Sequence, residues 1–427
     1  MDYRTLITCG LLAVLLLTSC SPAPIRAVDF VQSDVERTSP DASTADLEEL
    51  VQGNSAFSWD LYQNWRDEEG NLFYSPYSIS LALAMTYAGA RGQTEWEMKE
   101  VLHLILSSDR LHPAFNALDL ELARRGEEES SREGKTFELN IANSIWGQKG
   151  YKFLSAFLDL LAENYGAGLR LTDFAKDPEG SRVAINDWVS DQTNEKIEDL
   201  IPQGLIDEMT RLVLANAIYF NASWLHPFDE SRTEDAPFYL LNGGEVTVPM
   251  MSMSHSKYLL YAEGDGYKVV ELPYEGRKIA MTIIVPDAGN FEQLEASLVA
   301  EEVDAILASL EHETVSLRLP KFSYESSFKM AKTLAEMGMP SAFGAEADFS
   351  GIDGTKELFI SAVVHKAFVA VDEAGTEAAA ATAVIIAEKG APMSPVELTV
   401  DRPFIFVIRD VETGSTLFVG RVVNPAS

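Results

Sequence analysis

Nine consecutive residues, Leu212-Val-Leu-Ala-Asn-Ala-Ile-Tyr-Phe220, are apolar on both strand faces, with Asn216 the single polar interruption. Val, Ile, Tyr and Phe favour the extended chain. A strand with no polar face has to be covered on both sides, so a sheet with one face open to water is excluded. The amide of Asn216 would lie deep in that sandwich and needs partners there.

The rest of the chain supplies mixed cover for such a sheet. Leu47 to Trp65 recurs at helical spacing, and a small-residue helix follows Asn71-Leu-Phe-Tyr-Ser-Pro-Tyr-Ser-Ile-Ser80 through Ala90. Further helical patterns span roughly 93–107, 110–125, 151–166, 179–193 and 327–337, the last stopped by Gly338. Gly126 to Gly134 reads as an acidic loop, and Thr136 to Trp146 as a strand. Val269–Leu272 and Ile279–Val285 form a hairpin around Tyr274-Glu-Gly-Arg277; further strands are expected at Val363–Val371, Val396–Val400, Phe404–Ile408 and Leu417–Val422. No repeat or linker interrupts residues 46–427, which predicts one large α+β domain.

Ahead of it stand two distinct segments. Arg4, an apolar run from Leu6 to Leu17, and Leu17-Thr-Ser-Cys20 have the layout of a secretory signal. The last four residues resemble the bacterial lipoprotein cleavage box. That likeness implies removal of residues 1–19, acylation of Cys20, and a protein exported and lipid-anchored at the bacterial cell envelope or surface. Residues 20–45, rich in Ser, Pro, Asp and Ala, are expected to be a flexible tether. Cys9 and Cys20 are the only cysteines, so the body has no disulfide.

Local preferences conflict in one place. Between two strand-like runs lies Asp372-Glu-Ala-Gly-Thr-Glu-Ala-Ala-Ala-Ala-Thr-Ala-Val-Ile-Ile-Ala-Glu-Lys-Gly390, where Ala378 to Ala381 favour helix and the β-branched residues after them favour strand. At a period of two, Thr376, Ala378, Ala380, Thr382, Val384 and Ile386 share one small or apolar face. Glu377 falls on the opposite face with Ala379 and Ala381. The segment could therefore lie down as a strand with its early charge outward.

Taken together, Tyr74-Ser-Pro-Tyr-Ser-Ile79, Leu214-Ala-Asn-Ala-Ile-Tyr-Phe220 with Trp224, Val248-Pro-Met-Met251, Leu319-Pro-Lys-Phe322, His365-Lys-Ala367 and Asp401-Arg-Pro-Phe404 through Pro425 resemble the serpin family, in order and spacing, across about 46–425. The resemblance implies three β-sheets, eight or nine helices and an exposed reactive loop. It also implies a bait for serine proteases: the target forms an acyl-enzyme with the loop, and the cut loop inserts into the largest sheet before water releases it. The hinge would comprise Glu373, Gly375, Thr376, Glu377, Ala378, Ala379, Ala380 and Ala381. Ser75, Ser78, Asn216 and His365 match the family's buried polar cluster beneath the sheet opening, and Trp224 and Lys321 its mouth, where Lys321 and Glu373 could pair.

Counting from Glu373 as the first residue, the seventeenth is Lys389, which by the same likeness makes Lys389-Gly390 the scissile bond. Lysine suits the acidic pocket of trypsin-like proteases. Met393-Ser394 is the alternative and would suit elastase- or subtilisin-like enzymes.

Other chemistries find little support. No Gly-x-Ser-x-Gly elbow occurs, and the Ser-x-x-Lys strings at 254–257 and 326–329 lack a Lys-Thr-Gly partner. Gly134-Lys-Thr136 has Glu129 where a phosphate loop needs glycine, and His312-Glu313 lacks a second zinc-site histidine. No metal, cofactor or catalytic residue is expected. With 66 acidic against 33 basic residues, the formal charge of -33 excludes nucleic acid as a partner and argues against a heparin-like activator. A monomeric suicide inhibitor is the favoured reading; the alternatives are a serpin-fold binding protein that does not inhibit and, remotely, a secreted hydrolase.

Overall fold

The computed structural model describes residues 28–130, 137–376 and 394–427. Among these, ten α-helices occur: α1 Thr44–Trp65, α2 Pro76–Tyr87, α3 Gly92–Val101, α4 Ser108–Ser130, α5 Ser155–Tyr165, α6 Pro178–Gln192, α7 Phe291–Ser297, α8 Ala300–Ala308, α9 Met330–Met337 and α10 Ser350–Asp353. The tenth, beyond the eight or nine expected, is a four-residue turn.

Strands up to the middle of the chain are β1 Asp29–Val31, β2 Leu72–Tyr74, β3 Phe137–Gln148, β4 Leu169–Thr172, β5 Leu212–Ser223, β6 Glu234–Tyr239, β7 Glu245–Ser252 and β8 Lys257–Gly264. Then follow β9 Tyr267–Pro273, β10 Ile279–Pro286, β11 Glu311–Pro320, β12 Phe322–Lys329, β13 Ile360–Val371 and β14 Gly375–Thr376. The last three are β15 Val396–Thr399, β16 Phe404–Asp410 and β17 Thr416–Val422.

Seven strands form one sheet in the order β1-β4-β3-β5-β14-β13-β12; the remaining ten run β2-β17-β16-β10-β9-β8-β11-β7-β6, with β15 beside β11. The third sheet expected from sequence is the β6, β7, β11 and β15 set. It stays joined to the second because β11 pairs β8 through Val315 and β7 from Arg318.

Strand β5 behaves as its sequence demands. Every residue of it is buried. Leu212, Leu214, Ile218, Phe220 and Ala222 face the main core, whereas Val213, Ala215 and Ala217 face a smaller one built with Trp146, Ile185 and Val189 beneath α6. The side chains turned to the main core are mostly Leu, Ile and Phe and those turned to the smaller one Val and Ala, so α6 can lie close on the front of the sheet while the helices behind it fill a deeper core.

Three expectations fail locally. Helix α4 runs on to Ser130 through the expected acidic loop, because Arg125 anchors its end in the core by ion pairs to Glu121 (2.9 Å) and to the fully buried Asp410 (3.0 Å). Residues 327–329 belong to β12, not to the helix after it, since Phe328 pairs with His365 and Lys329 with Val364 across the sheet.

The third concerns the tether: residues 28–45 are docked, not free. Strand β1 pairs antiparallel with β4, adding an outer strand to the large sheet. The Arg170 guanidinium of β4 lies 5.2 Å from the Phe30 ring of β1 and 4.5 Å from Trp188 of α6. Beyond β1, Arg37 donates to Asn116 (2.8 Å) and Asp119 (2.7 Å) of α4, and Ser43 caps α1 in a reciprocal pair with Asp46. Periodicity is silent about such a segment, because its attachments come from single side chains and not from a repeated face.

Candidate functional site

The large sheet has two kinds of seam between β5 and β13. Over most of their length the strands pair directly and in parallel, from Leu212 against Ile360 to Tyr219 against Phe368. At one end they part, and Gly375-Thr376 occupies the gap, paired with Ser223 and Ala222 on one side and with Val371 on the other.

Several elements hold these two residues there. A Cβ on Gly375 would lie 2.1 Å from the Ala222 carbonyl oxygen, so only glycine lets the chain come this close. Thr376 is 1% exposed and its hydroxyl lies 2.7 Å from that of Tyr274. Trp224 stacks on Tyr274 at 4.4 Å, and its indole N–H donates to the Asp372 carbonyl (3.0 Å). Its backbone N–H donates to Ala374 (2.9 Å), and that of Phe228 to Glu373 (2.9 Å). The Asp372 carboxylate accepts from the amides of Ala374 and Gly375, closing the turn.

Glu373 is the electrostatic centre of this mouth. Lys321 Nζ donates to one carboxylate oxygen at 2.7 Å and Thr233 Oγ1 to the other at 2.8 Å. Partial burial pushes the carboxyl pKa up, but these two bonds outweigh it and hold the value below the ordinary glutamate range. The same bond to Glu373 raises that of Lys321.

Halfway down the seam lies a polar cluster. Asn143 of β3, Asn216 of β5 and His365 of β13 stand side by side in register. His365 Nε2 accepts from the Ser75 amide (3.1 Å), so Nδ1 carries the proton and donates to the Asn216 carbonyl oxygen. Asn216 Nδ2 donates to Ser78 Oγ (2.7 Å), which donates to Asn143 Oδ1 (3.1 Å), and Ser75 Oγ accepts the Ser78 amide as it caps α2. Ser75, Ser78, Asn216 and His365 are each no more than 1% exposed. Burial lowers the imidazole pKa to about 3, so it stays neutral.

No hydroxyl of this cluster donates to the imidazole and none meets solvent. It has neither a nucleophile–base pair nor access for a substrate. The Ser326-x-x-Lys329 string also fails as chemistry: Ser326 Oγ accepts the Phe73 amide (3.1 Å), while Lys329 projects from the opposite strand face. Among the described residues no group of three or more His, Cys, Asp or Glu could hold a metal ion.

Every sequence-predicted residue of the mouth and seam within the described range therefore falls in one of two connected places. Glu377, Ala378, Ala379, Ala380, Ala381, Lys389, Gly390, Met393 and Cys20 lie outside the described residues; Ser394 begins the last described segment and is exposed. Sequence reading missed Asn143, Thr233, Asp372 and Tyr274. Only Asn143 left a trace, as a polar side chain on an alternating strand opposite Asn216.

The serpin (serine protease inhibitor) family model matches residues 52–425. An uncharacterized serpin-like protein of Thermococcus kodakarensis is 42% identical over 379 residues, covering 88% of this chain and 86% of that protein. The leukocyte elastase inhibitor of Bos taurus is 39% identical over 388 residues, covering 89% of this chain and 100% of that protein. Among solved structures, the native state of the thermophilic serpin tengpin superposes with a TM-score of 0.81 at 29% identity, covering 93% of this chain and 99% of that one. With a seam that opens around the start of a loop, a buried cluster beneath it and these matches across its length, the chain belongs to the serpin family.

Proposed function

We propose that the protein is a suicide inhibitor of serine proteases, not an enzyme, that traps its target by inserting its cleaved loop between β5 and β13. One observation carries this reading: Gly375-Thr376 already forms the first rungs of a strand in the mouth of a seam whose walls pair with each other below it. Thr376 faces Tyr274 and the main core. A strand continuing from it would turn Ala378, Ala380, Thr382, Val384 and Ile386 the same way, with no charge to bury. Zipping into the seam would exchange the direct β5–β13 pairing for two new ladders.

In this reading the target's serine attacks the Lys389 carbonyl carbon, the bond to the Gly390 nitrogen breaks and that amine leaves with the protease's proton. The acyl-enzyme then travels with the inserting strand. Lysine at the acyl position favours trypsin-like targets, because its cation pairs with a carboxylate in their specificity pocket. The second reading, cleavage at Met393-Ser394 by an elastase-like enzyme, gains support from relatives named leukocyte elastase inhibitor. Cys20 would carry the acyl anchor at the bacterial envelope.

Incubation with trypsin and with elastase tests all three parts. A complex that survives boiling in detergent, with a released fragment beginning at Gly390, is the expected result. A fragment beginning at Ser394 transfers the assignment to the second reading. Clean proteolysis without any complex overturns inhibition in favour of a non-inhibitory binding protein.

A further inference from the structure

The Ser254-His-Ser-Lys257 string, left without hydrolytic chemistry, closes a polar hollow of about 530 Å³ on the outer face of the β6–β7–β11 set. Val315, Leu317 and Leu319 of β11 point inward, so Ser316 and Arg318 point out into the hollow. Ser252 of β7 and Arg232 of the turn before β6 complete its floor and wall.

Its two arginines are held in place but only partly used. Arg232 Nη1 donates to the carbonyls of Met253 (3.0 Å) and Ser254, which fixes the plane of the guanidinium. Among the described residues its other N–H groups have no acceptor. Arg318 gives Nη2 to the exposed carboxylate of Glu234 (2.9 Å), while its Nε is shielded from solvent and donates to nothing described. The hydroxyls of Ser252, Ser256 and Ser316 likewise have no protein partner among the described residues. The hollow thus sets two guanidinium groups, the His255 imidazole and three uncommitted hydroxyls against one carboxylate, in a chain whose formal charge is -33.

We propose that this hollow binds a tetrahedral oxyanion, the phosphate or sulfate group of a small polar molecule. Guanidinium forks match such oxygens two at a time, and hydroxyls can donate to the oxygens that remain. The volume exceeds what a bare ion fills and lies in the range of small-molecule sites, while the scarcity of apolar wall excludes a hydrophobic ligand.

The position gives an occupant a second consequence. Arg232 adjoins Thr233, whose hydroxyl holds Glu373, and Arg318 pairs with Thr399 of β15, where the loop rejoins the sheet. An anion bridging the two arginines ties together the attachments at both ends of the loop.

Calorimetric titration of the full-length protein with inorganic phosphate and with glycerol 3-phosphate, against chloride at matched ionic strength, tests the site. Saturable one-site binding is expected, absent with glycerol alone. Arg232→Gln and Arg318→Gln should each weaken it about tenfold or more. Glu234→Gln should tighten it by freeing Arg318. Saturating phosphate should raise the melting temperature of the wild type and leave that of the doubly substituted protein unmoved. Equal binding of the free ion and the ester assigns the site to the anion alone and supports the proposal. Heats that do not saturate, or that ignore all three substitutions, overturn it. None of these readouts depends on protease inhibition, so the site stands or falls separately from the function proposed above.

Discussion

At the scale of single residues, the mouth of the seam is built from groups that can each be tested. Thr376→Arg places a long cation where the side chain is 1% exposed and faces Tyr274. Insertion would have to bury that charge, so the variant should be cut as a substrate and the detergent-stable complex should vanish from gels. Lys321→Met leaves Glu373 with Thr233 alone and should cost about 1 kcal/mol, modest because Lys321 is partly exposed. Chemical denaturation measures it. The two buried histidines set a pH dependence. Burial lowers His365 to about 3 and His112 to about 4, below the unfolded value of 6.5. Both are neutral when folded, so their contribution is complete above pH 6.5 and is lost as pH falls towards those values. Each should remove about 1.4 kcal/mol per pH unit across that window, and His112→Gln should flatten the curve between pH 6 and 4.5. Legibility at this scale followed chemistry. Asn216 stood out because a polar group in an apolar run needs a partner, whereas His365, Trp224 and Glu373 were marked by the resemblance to the family. Thr233 and Tyr274 did not, since a threonine in a turn and a tyrosine beside a hairpin look ordinary until the fold sets them against Glu373 and Thr376.

At the scale of elements, the sequence was most readable where burial was most one-sided. Strand β5 and the β9–β10 hairpin matched expectation because they are mostly apolar and nearly every residue is buried, with a few paired polar groups among them. Boundaries moved where a long-range contact outweighed the local pattern, as Arg125 does for α4 and the β13 ladder does for the end of β12. Strand β1 was invisible beforehand: three residues in a polar segment carry no period. Its attachment nonetheless has a measurable weight. Arg170 sits among Phe30, Trp146 and Trp188, joining β1, the sheet and α6 through one guanidinium. Arg170→Met should keep the stem's packing, remove the cation–π contacts and lower stability by about 1–2 kcal/mol, read from the urea midpoint.

For the whole molecule, the large sheet is incomplete in a specific sense: the fifth strand in its order, the two-residue β14, fills only the top of the seam between β5 and β13. In the proposed mechanism, cutting the loop would release a strand for the remainder. Nicking by a catalytic trace of protease should raise the melting temperature by far more than the few degrees that one side chain accounts for; an unchanged value would remove the basis of the trapping mechanism.

The register of the large sheet also sets two features at opposite poles of the protein. Gly375 pairs with Ser223, near the end of β5 that faces Phe137, whereas β1 pairs with β4 where β4 runs beside Ile145 to Gln148, at the opposite pole. Strand β1 enters from that far pole, antiparallel to β4. With an acyl chain on Cys20, the slack before Asp29 amounts to roughly 30 Å at full stretch. So tethered, the body would ride close above the lipid, with the pole where β1 enters turned towards the bilayer and the mouth of the seam at Gly375 on the side away from it.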